Sequence, residues 1–419
     1  MVLLALAPAL AAGCGARTQV PAGGTSHSAS RSASRSAGHS ARPSPSPSAS
    51  PSCGAPSGPA FPTAPHGESL NAVRFVSAWA GWAVGSDRIL HTADAGLHWV
   101  TQFRTGRKAG LAAVDFTDAR HGWVAGAAMI LATTDGGAHW HALPEPCEPV
   151  RAVHFVSPAD GFAVAGGSQP YLGVPASGGV LLATSDGGEH WRHVPSPPDV
   201  QTACFSDTRR GWLGAGGNIY GTTNGGRTWT LAVRRQHPAG GSPGYSVLAK
   251  VECAGPGAAW AELIGPGAAM SHEPQIGYHT FGRTWQPIFA QQFFPHPGVD
   301  VRAEAPGVYP GPFSAISTAQ AVFIGWCPPC SVPASPRPQG GTASMDIATA
   351  GGAVLLHRGV VARLGEANGA AFVTADDGWV VGTQTRYPLS GRGRARTVSR
   401  IMHTADGGRT WQVQYTLGP

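Results

Sequence analysis

Hydrophobic and polar positions alternate in short runs that recur seven times between residues 68 and 419. In the first copy the runs cover 72–76, 81–84, 88–92 and 98–103, and Gly, Ser and Asp dominate the segments between them. Alternation with a period of two, bounded by turn residues, is typical of half-buried β-strands. The pattern predicts four short strands per copy and an all-β chain.

Two sequence signatures mark each copy, and the first spans strands A and B. It consists of an apolar residue, any residue and Phe, followed by a turn and Gly-Trp. The opening residue and the Trp position are nine residues apart in every copy. The seven pairs are Val73 and Trp82, Val114 and Trp123, Val153 and Phe162, Ala203 and Trp212, Val251 and Trp260, Phe313 and Val322, and Ala370 and Trp379.

The second signature is an eight-residue segment, here called the box: Ser/Thr, any residue, Asp, Gly, Gly, two further residues and Trp. Clear copies are 92–99, 133–140, 184–191, 222–229 and 404–411, with weaker ones at 277–285 and 349–356. The hydroxyl and carboxylate suit hydrogen bonds to turn amides, and Gly supplies positive φ. We expect structural roles for Asp94, Asp135, Asp186, Asn224, Asp406, Trp99, Trp140, Trp191, Trp229, Trp285 and Trp411.

Seven copies of four antiparallel strands predict a seven-bladed β-propeller over residues 66–419. Eleven of the thirteen tryptophans lie at the two signature positions, where we expect them to pack between blades. A solenoid is the structural alternative.

The boxes resemble the Asp-box, or BNR, repeats of sialidase-like propellers. The complete repeat is more similar to the photosystem II stability and assembly factor family. Members of that family are seven-bladed propellers, lumenal or exported, that act as non-catalytic assembly scaffolds. The resemblance covers residues 68–419 and is more specific for the fold than for the function, because one fold hosts many functions. Nothing in the sequence implies a photosystem.

The strand order predicts which end of the propeller carries the long loops. With strands A to D antiparallel, the A–B turns and the boxes share one end, and the other connections share the opposite end. All large insertions fall at that opposite end, where binding surfaces of repeat proteins often lie. The candidate binding residues there are Arg234, Arg235, Tyr245, Phe293, Phe294, Arg302, Tyr309, Arg392, Arg394 and Arg396. The alternative is solvated arginines with aromatic residues that hold long loops to the propeller.

The N-terminal region has the composition of an export signal and a spacer. Residues 1–14 contain a short apolar run that ends in Leu10-Ala11-Ala12-Gly13-Cys14, which resembles a lipobox with Cys14 as the lipidated residue. A plain secretory signal is the alternative. Residues 15–65 are rich in Ser, Pro and Ala and predict a disordered linker. We therefore expect a lipoprotein on the outer side of the cytoplasmic membrane, or else a secreted protein.

The seven cysteines suit an exported protein with disulfides. Cys327 and Cys330 predict a local structural disulfide, while three pairings stay open among Cys53, Cys147, Cys204 and Cys253. We predict no metal site and no cofactor, because the paired histidines beside the boxes lack a third ligand. Net charge is +6, but without a basic stripe that alternates with aromatic residues, so we expect no nucleic-acid partner.

The sequence thus predicts a monomeric, non-catalytic scaffold that binds an envelope protein or a glycan and touches the membrane through its lipid only. Two alternatives remain: a glycan hydrolase of the sialidase-like type, and a carbohydrate-binding propeller without turnover. The hydrolase requires two carboxylates that converge in the channel at the loop end. Its candidates are Asp115, Glu252, Glu262 and Glu304, of which Asp115 and Glu252 are on strand A.

Overall fold

The computed structural model describes residues 69–418 except 106–109, 127–128, 145, 147, 168–177, 236–247, 266–274, 283, 291–302, 304–306, 308, 328–341, 351–353, 362 and 387–394. All regular elements in the described residues are strands. A search of these residues finds no helix that could span a membrane. The predicted export signal, Cys14 and linker lie outside the described residues.

The first four blades are built from sixteen strands in chain order. Blade 1 contains β1 Ala72–Phe75, β2 Gly81–Gly85, β3 Arg88–Thr92 and β4 Val100–Arg104. Blade 2 contains β5 Leu111–Phe116, β6 Gly122–Gly126, β7 Met129–Thr133 and β8 His141–Leu143. Blade 3 contains β9 Val150–Phe155, β10 Gly161–Ala165, β11 Val180–Thr184 and β12 Arg192–Val194. Blade 4 contains β13 Val200–Phe205, β14 Gly211–Ala215, β15 Asn218–Thr222 and β16 Thr230–Val233.

The last three blades have longer strands. Blade 5 contains β17 Leu248–Cys253, β18 Ala258–Ile264, β19 Gln275–Phe281 and β20 Thr284–Ala290. Blade 6 contains β21 Tyr309–Ala315, β22 Gln320–Cys327, β23 Thr342–Thr349 and β24 Val354–Val361. Blade 7 contains β25 Glu366–Phe372, β26 Gly378–Arg386, β27 Arg396–Thr404 and β28 Gln412–Leu417. Each blade is an antiparallel sheet in sequence order, which confirms the seven-bladed propeller.

The hydrophobic core lies between blades rather than within them. The buried side chains form seven clusters, and each cluster joins residues of two neighbouring blades. At four joints the strand-B aromatic ring stacks on the Phe that ends strand A of the next blade. The centroid distances are 3.6 Å for Trp82 and Phe116, 3.5 Å for Trp123 and Phe155, 3.4 Å for Phe162 and Phe205, and 3.5 Å for Trp379 and Phe75.

The ring closes through side chains, because blades 1 and 7 each take all four strands from their own repeat. Trp379 of β26 stacks on Phe75 of β1, and its Nε1 donates to Gln414 Oε1 at 2.9 Å. Asn368 Nδ2 donates to the Leu70 carbonyl at 2.8 Å, while Leu70 N donates to Ser399 Oγ at 2.9 Å. The closing joint therefore has the same stacked aromatic pair as three other joints and needs no exchanged strand.

We predict that Trp379→Ala lowers the free energy of unfolding by about 3–5 kcal/mol, because it removes the stacked ring and leaves a cavity at the closing joint. Trp379→Phe is the matched variant, since Phe162 shows that Phe stacks equally closely at this position. It loses the bond to Gln414 and should cost about 1 kcal/mol. Urea denaturation followed by tryptophan fluorescence measures both; equal losses would contradict a role for the stacked ring.

A disulfide replaces the stacked pair between blades 4 and 5. Cys253 occupies the place that Phe has at the end of strand A in most blades, and it bonds to Cys204 of β13, with the two Cα atoms 5.6 Å apart. This bond selects one of the pairings that the sequence left open. Cys53, Cys147, Cys330 and the Cys327 side chain lie outside the described residues.

We predict that the Cys204→Ala/Cys253→Ala variant loses about 2–4 kcal/mol of stability, because the crosslink restricts the unfolded chain over a sequence separation of 49 residues. Thermal unfolding with and without a thiol reductant checks this. The reductant should lower the Tm of the wild type towards that of the variant. A variant as stable as the oxidised wild type would show that this disulfide does not stabilise the joint.

Each box turn is held by its first and third residues. In blade 7, Thr404 Oγ1 donates to Asp406 Oδ1 at 2.9 Å and accepts from Gly408 N at 2.8 Å. Asp406 Oδ1 also accepts from Thr410 N at 2.9 Å. Gly407 and Gly408 have φ of 69° and 84°, the left-handed conformation that Gly adopts without strain. The box thus closes the C–D turn by local side-chain hydrogen bonds.

The boxes also join neighbouring blades. Trp82 Nε1 of blade 1 donates to Gly136 O in the box of blade 2 at 3.3 Å, and Gln102 Nε2 donates to the same oxygen at 2.9 Å. Trp123 Nε1 contacts Gly187 O of the blade-3 box in the same way, at 2.8 Å. Each of these boxes therefore satisfies the indole N–H of the preceding blade.

The weaker boxes have different turns. In blade 5 the strands β19 and β20 meet at residues 282–283, and Trp285 lies within β20 instead of following a box turn. Its ring packs edge-on against Trp212 of blade 4, with centroids 6.4 Å apart. In blade 6 residues 350–353 connect β23 to β24. The expectation of a box at 277–285 is wrong, because longer strands replace its turn.

The box carboxylates predict a loss of stability in acid. The backbone N–H of His98 holds the pKa of Asp94 at about 2, and the Thr410 hydroxyl does the same for Asp406. A lowered carboxyl pKa stabilises the fold at pH values above the unfolded pKa of about 4, and this stabilisation is lost as pH falls towards 2.

Asp406→Asn is the matched variant, because Asn224 supports the same turn with a neutral amide, donating to Thr228 Oγ1 at 2.8 Å. We expect the Tm of this variant to fall less steeply between pH 4 and pH 2. Parallel Tm–pH profiles would contradict this role of the carboxylate.

Candidate functional site

The innermost strands of the blades surround the central channel, since the strand-A elements contact one another in sequence and β25 contacts β1. The strand-A signature consists of an apolar residue, any residue and Phe. In each blade its middle residue lies near the channel end that carries the A–B turns and the boxes, which we call the box end. These seven residues are Arg74, Asp115, His154, Cys204, Glu252, Ser314 and Ala371. We call them the channel ring.

Most polar members of the channel ring bond to strand A of the next blade. Asp115 Oδ2 accepts from Phe155 N at 2.7 Å, and Glu252 Oε2 accepts from Ala315 N at 2.9 Å. His154 Nε2 lies 2.7 Å from the Phe205 carbonyl. Ser314 Oγ accepts from Phe372 N at 3.0 Å. These side chains fasten neighbouring blades together as well as lining the channel.

Among these side chains, the Asp115 carboxylate has the most contacts with protein groups. Its Oδ1 accepts from Phe116 N at 3.0 Å and lies 3.4 Å from Arg74 Nε, while its Oδ2 is 3.6 Å from His154 Nδ1. The Asp115 residue is 4% exposed. Both oxygens are thus committed to protein groups, and the carboxylate fits a structural role.

Glu252 differs because one of its oxygens makes no recorded contact within the described residues. Burial raises the pKa of Glu252 to about 7, although the Ala315 N–H and the charges of Arg74 and Lys250 act in the opposite direction. A carboxyl group with this pKa is partly protonated at neutral pH and both accepts and donates hydrogen bonds. Glu252 is therefore the described channel carboxyl group that is best suited to a ligand or a proton transfer.

At the opposite channel end a second set of hydrogen bonds joins neighbouring blades. Asn71 Nδ2 donates to the Leu111 carbonyl at 2.7 Å, and Arg151 Nη2 donates to the Val200 carbonyl at 3.2 Å. Lys250 Nζ donates to Gly311 O at 2.7 Å and lies 3.5 Å from Glu262 Oε2. Glu262, a predicted hydrolase candidate, is thus paired with lysine.

The long connections all leave the propeller at this opposite end, called the loop end. Here the B–C and D–A connections include 166–179, 234–247, 265–274, 291–308, 328–341 and 387–395. At the box end the longest connection is seven residues, as in 405–411. Antiparallel blades thus separate the short turns from every insertion longer than seven residues.

Four of the ten predicted binding residues are described. Arg234 and Arg235 follow β16 and are exposed, and Arg235 N donates to Asn218 Oδ1 at 3.0 Å. Tyr309 and Arg396 were expected in connections, but they are the first residues of β21 and β27 because these strands extend further than the turn residues suggested. The remaining six lie outside the described residues: Tyr245, Phe293, Phe294, Arg302, Arg392 and Arg394.

The structure adds Trp326 to the loop end. It is paired with Tyr309 across β21 and β22, and the two ring centroids are 5.0 Å apart. Within the described chain its indole Nε1 is buried without a hydrogen-bond partner. Its signal in the sequence is its position: eleven of the thirteen tryptophans lie at the two signature positions, and Trp326 does not.

The described residues contain no group of three or more His, Cys, Asp or Glu side chains arranged to hold a metal ion. His98, His139 and His190 instead contact the Asp of their own box, with Nδ1 to Oδ2 distances of 2.7–2.8 Å. These histidines act as part of the box turns.

The strand order defines the chain as a seven-bladed propeller, and comparisons with known proteins show which part of it resembles a known family. The family model of the photosynthesis system II assembly factor YCF48 matches residues 63–144 and 102–251. Residues 63–251 are thus similar to this family, which agrees over that part of the chain with the resemblance read from the sequence. Among curated proteins, none matches the chain.

Solved structures share the fold at low sequence identity. The structure of YCF48 bound to D1 peptide is 14% identical, with a TM-score of 0.48 and coverage of 75% of this chain and 91% of that one. The GH74 enzyme of Niastella koreensis is 12% identical, with a TM-score of 0.50 and coverage of 83% of this chain and 66% of the enzyme. A PL25 ulvan lyase bound to a GlcA–Rha3S saccharide is 10% identical, with a TM-score of 0.42 and coverage of 71% and 80%. These similarities concern the fold alone.

Proposed function

We propose that this chain is a non-catalytic, extracytoplasmic scaffold that binds an envelope protein or glycan through its loop end. The observation that carries the proposal is the one-sided distribution of the connections: every one longer than seven residues is at the loop end. Short turns suffice to connect the strands, as blades 1 and 2 show with two residues between strands B and C. The added length therefore serves something other than the fold.

Two further features support this function and location. The family match over residues 63–251 supports an assembly role, by analogy with the assembly factor. The bond between Cys204 and Cys253 supports an oxidising compartment, where disulfides persist. We propose that Cys14 carries the lipid, through which the chain meets the membrane, and that residues 15–65 form the spacer. We also propose that the chain is monomeric.

The glycan hydrolase is the second candidate, and the Glu252 carboxyl group, with its pKa raised to about 7 by burial, favours it. Glu252 lies at the box end, however, whereas the sequence predicts the converging carboxylates of a hydrolase at the loop end. The hydrolase also requires a second carboxylate at the same place. Asp115 lies at the box end as well, but protein groups occupy both of its oxygens. Glu304 lies outside the described residues. Turnover of a glycan panel by the wild type, lost in Glu252→Gln, would establish the hydrolase and contradict the scaffold.

The loop-end proposal predicts that Arg234→Glu/Arg235→Glu/Arg396→Glu weakens partner binding at least tenfold, because charge reversal repels an acidic partner surface. The full-length protein is immobilised and exposed to fractionated envelope proteins and to envelope polysaccharide. Arg192→Glu/Arg209→Glu/Arg227→Glu is the matched control, since all three residues are exposed and none lies at the loop end. Equal loss in both variants, or loss in the control alone, would contradict a binding surface at the loop end.

A further inference from the structure

We propose that the box end of the central channel is a second binding site, in which Arg74 and Glu252 hold the carboxylate group of a ligand. This site is at the opposite end of the channel from the proposed loop-end surface and does not depend on it. The ligand class is a carboxylate-bearing chain end or sugar, such as a peptide C-terminus or a uronic acid.

Arg74 has unused donors in this position. Its Nε lies 3.4 Å from Asp115 Oδ1, and its side chain is 47% exposed. Within the described residues this is its one recorded polar contact, which leaves both terminal guanidinium nitrogens for a ligand. A planar carboxylate matches the two parallel N–H groups of an arginine, so the geometry favours carboxylates over point-like anions.

Glu252 supplies the complementary group across the channel. The charge of Arg74 is close enough to lower the Glu252 pKa, yet burial outweighs it and raises that pKa to about 7. The Oε2 atom is held by Ala315 N at 2.9 Å, which orients the carboxyl group. In its protonated form Glu252 donates a hydrogen bond to a ligand carboxylate, whereas its ionised form repels the same ligand.

The other charged groups around Glu252 are already paired. Asp115 of β5 contacts Arg74 and His154 of β9, and Lys250 of β17 lies 3.5 Å from Glu262 of β18. Two positions earlier in strand A, six of the seven blades have a small, partly exposed residue, and blade 5 has Lys250: the six are Ala72, Ala113, Ala152, Thr202, Pro312 and Gly369. The site thus offers the terminal guanidinium donors of Arg74 beside side chains that are small in six of the seven blades.

Calorimetric titration of the full-length protein tests the site. The probes are a short peptide with a free C-terminal carboxylate, the same peptide as its C-terminal amide, a galacturonate oligomer and a neutral galactose oligomer. We expect a carboxylate probe to bind, and to bind more tightly at pH 6 than at pH 8, while its neutral counterpart does not bind. The arm that binds identifies the source of the carboxylate. Failure of both carboxylate probes overturns the proposal.

Two variants separate the two side chains. Arg74→Gln should weaken binding at least tenfold, because a hydrogen-bonded charged contact is lost. Arg120→Gln, an exposed arginine in the blade-2 turn of the box end, should bind as the wild type does. Glu252→Gln keeps an acceptor for Ala315 N and an N–H donor, so it should bind equally at pH 6 and pH 8, as tightly as the wild type at pH 6.

Each variant is first checked for a wild-type circular dichroism spectrum and a Tm above the titration temperature. Unchanged binding in folded Arg74→Gln, or a pH dependence that persists in folded Glu252→Gln, overturns the proposal. If Arg74→Gln fails to fold, Arg74→Lys replaces it, and if Glu252→Gln fails to fold, Glu252→Asp replaces it. Arg74→Lys should weaken binding, because an ammonium group lacks the two parallel N–H donors of the planar guanidinium. Binding that is unchanged by both replacements also overturns it.

Discussion

The structure depends on contact between the flat ring on strand B of one blade and the Phe that ends strand A of the next. A four-stranded blade alone cannot cover its own apolar faces, so its core is completed by its neighbour. The ring closes because Trp379 meets Phe75 in the same geometry as Trp82 meets Phe116. Stacked aromatic pairs add about 0.5–1.5 kcal/mol beyond the buried area.

The two channel ends differ in the length of the connections between strands. The box end keeps short turns, and two of its boxes also accept the indole N–H of the preceding blade: Gly136 O accepts from Trp82 and Gly187 O accepts from Trp123. At the loop end the connections vary from two to eighteen residues. The length of the connections therefore varies over a wider range at the loop end than at the box end, and the loop end is where we propose the binding surface.

The fold was predictable from the sequence because the repeats supply the same information seven times. Nine-residue spacing and the box define strands A to D without reference to tertiary contacts. The failures occur where a repeat departs from its pattern. Trp285 lies in a strand because β19 and β20 extend to a two-residue connection. Tyr309 also lies in a strand, since β21 begins earlier than its turn residues suggest.

The candidate sites were less predictable, because they arise from positions that the repeat leaves variable. Asp115 and Glu252 were recognisable as strand-A carboxylates, but a single repeat does not show that Arg74 pairs with one and influences the other. Burial separates the two carboxyl groups: Asp115 gains four protein contacts, whereas Glu252 gains one hydrogen bond and a raised pKa. Such differences follow from neighbouring blades rather than from local sequence.

Site-specific photo-crosslinking in intact cells tests the central claim, that partners bind at the loop end, most directly. A benzophenone amino acid replaces Arg235 at the loop end in one strain and Arg227 in the blade-4 box in another. The account predicts a crosslinked envelope protein or glycan from position 235 and none from position 227. Crosslinks from position 227 alone would contradict it.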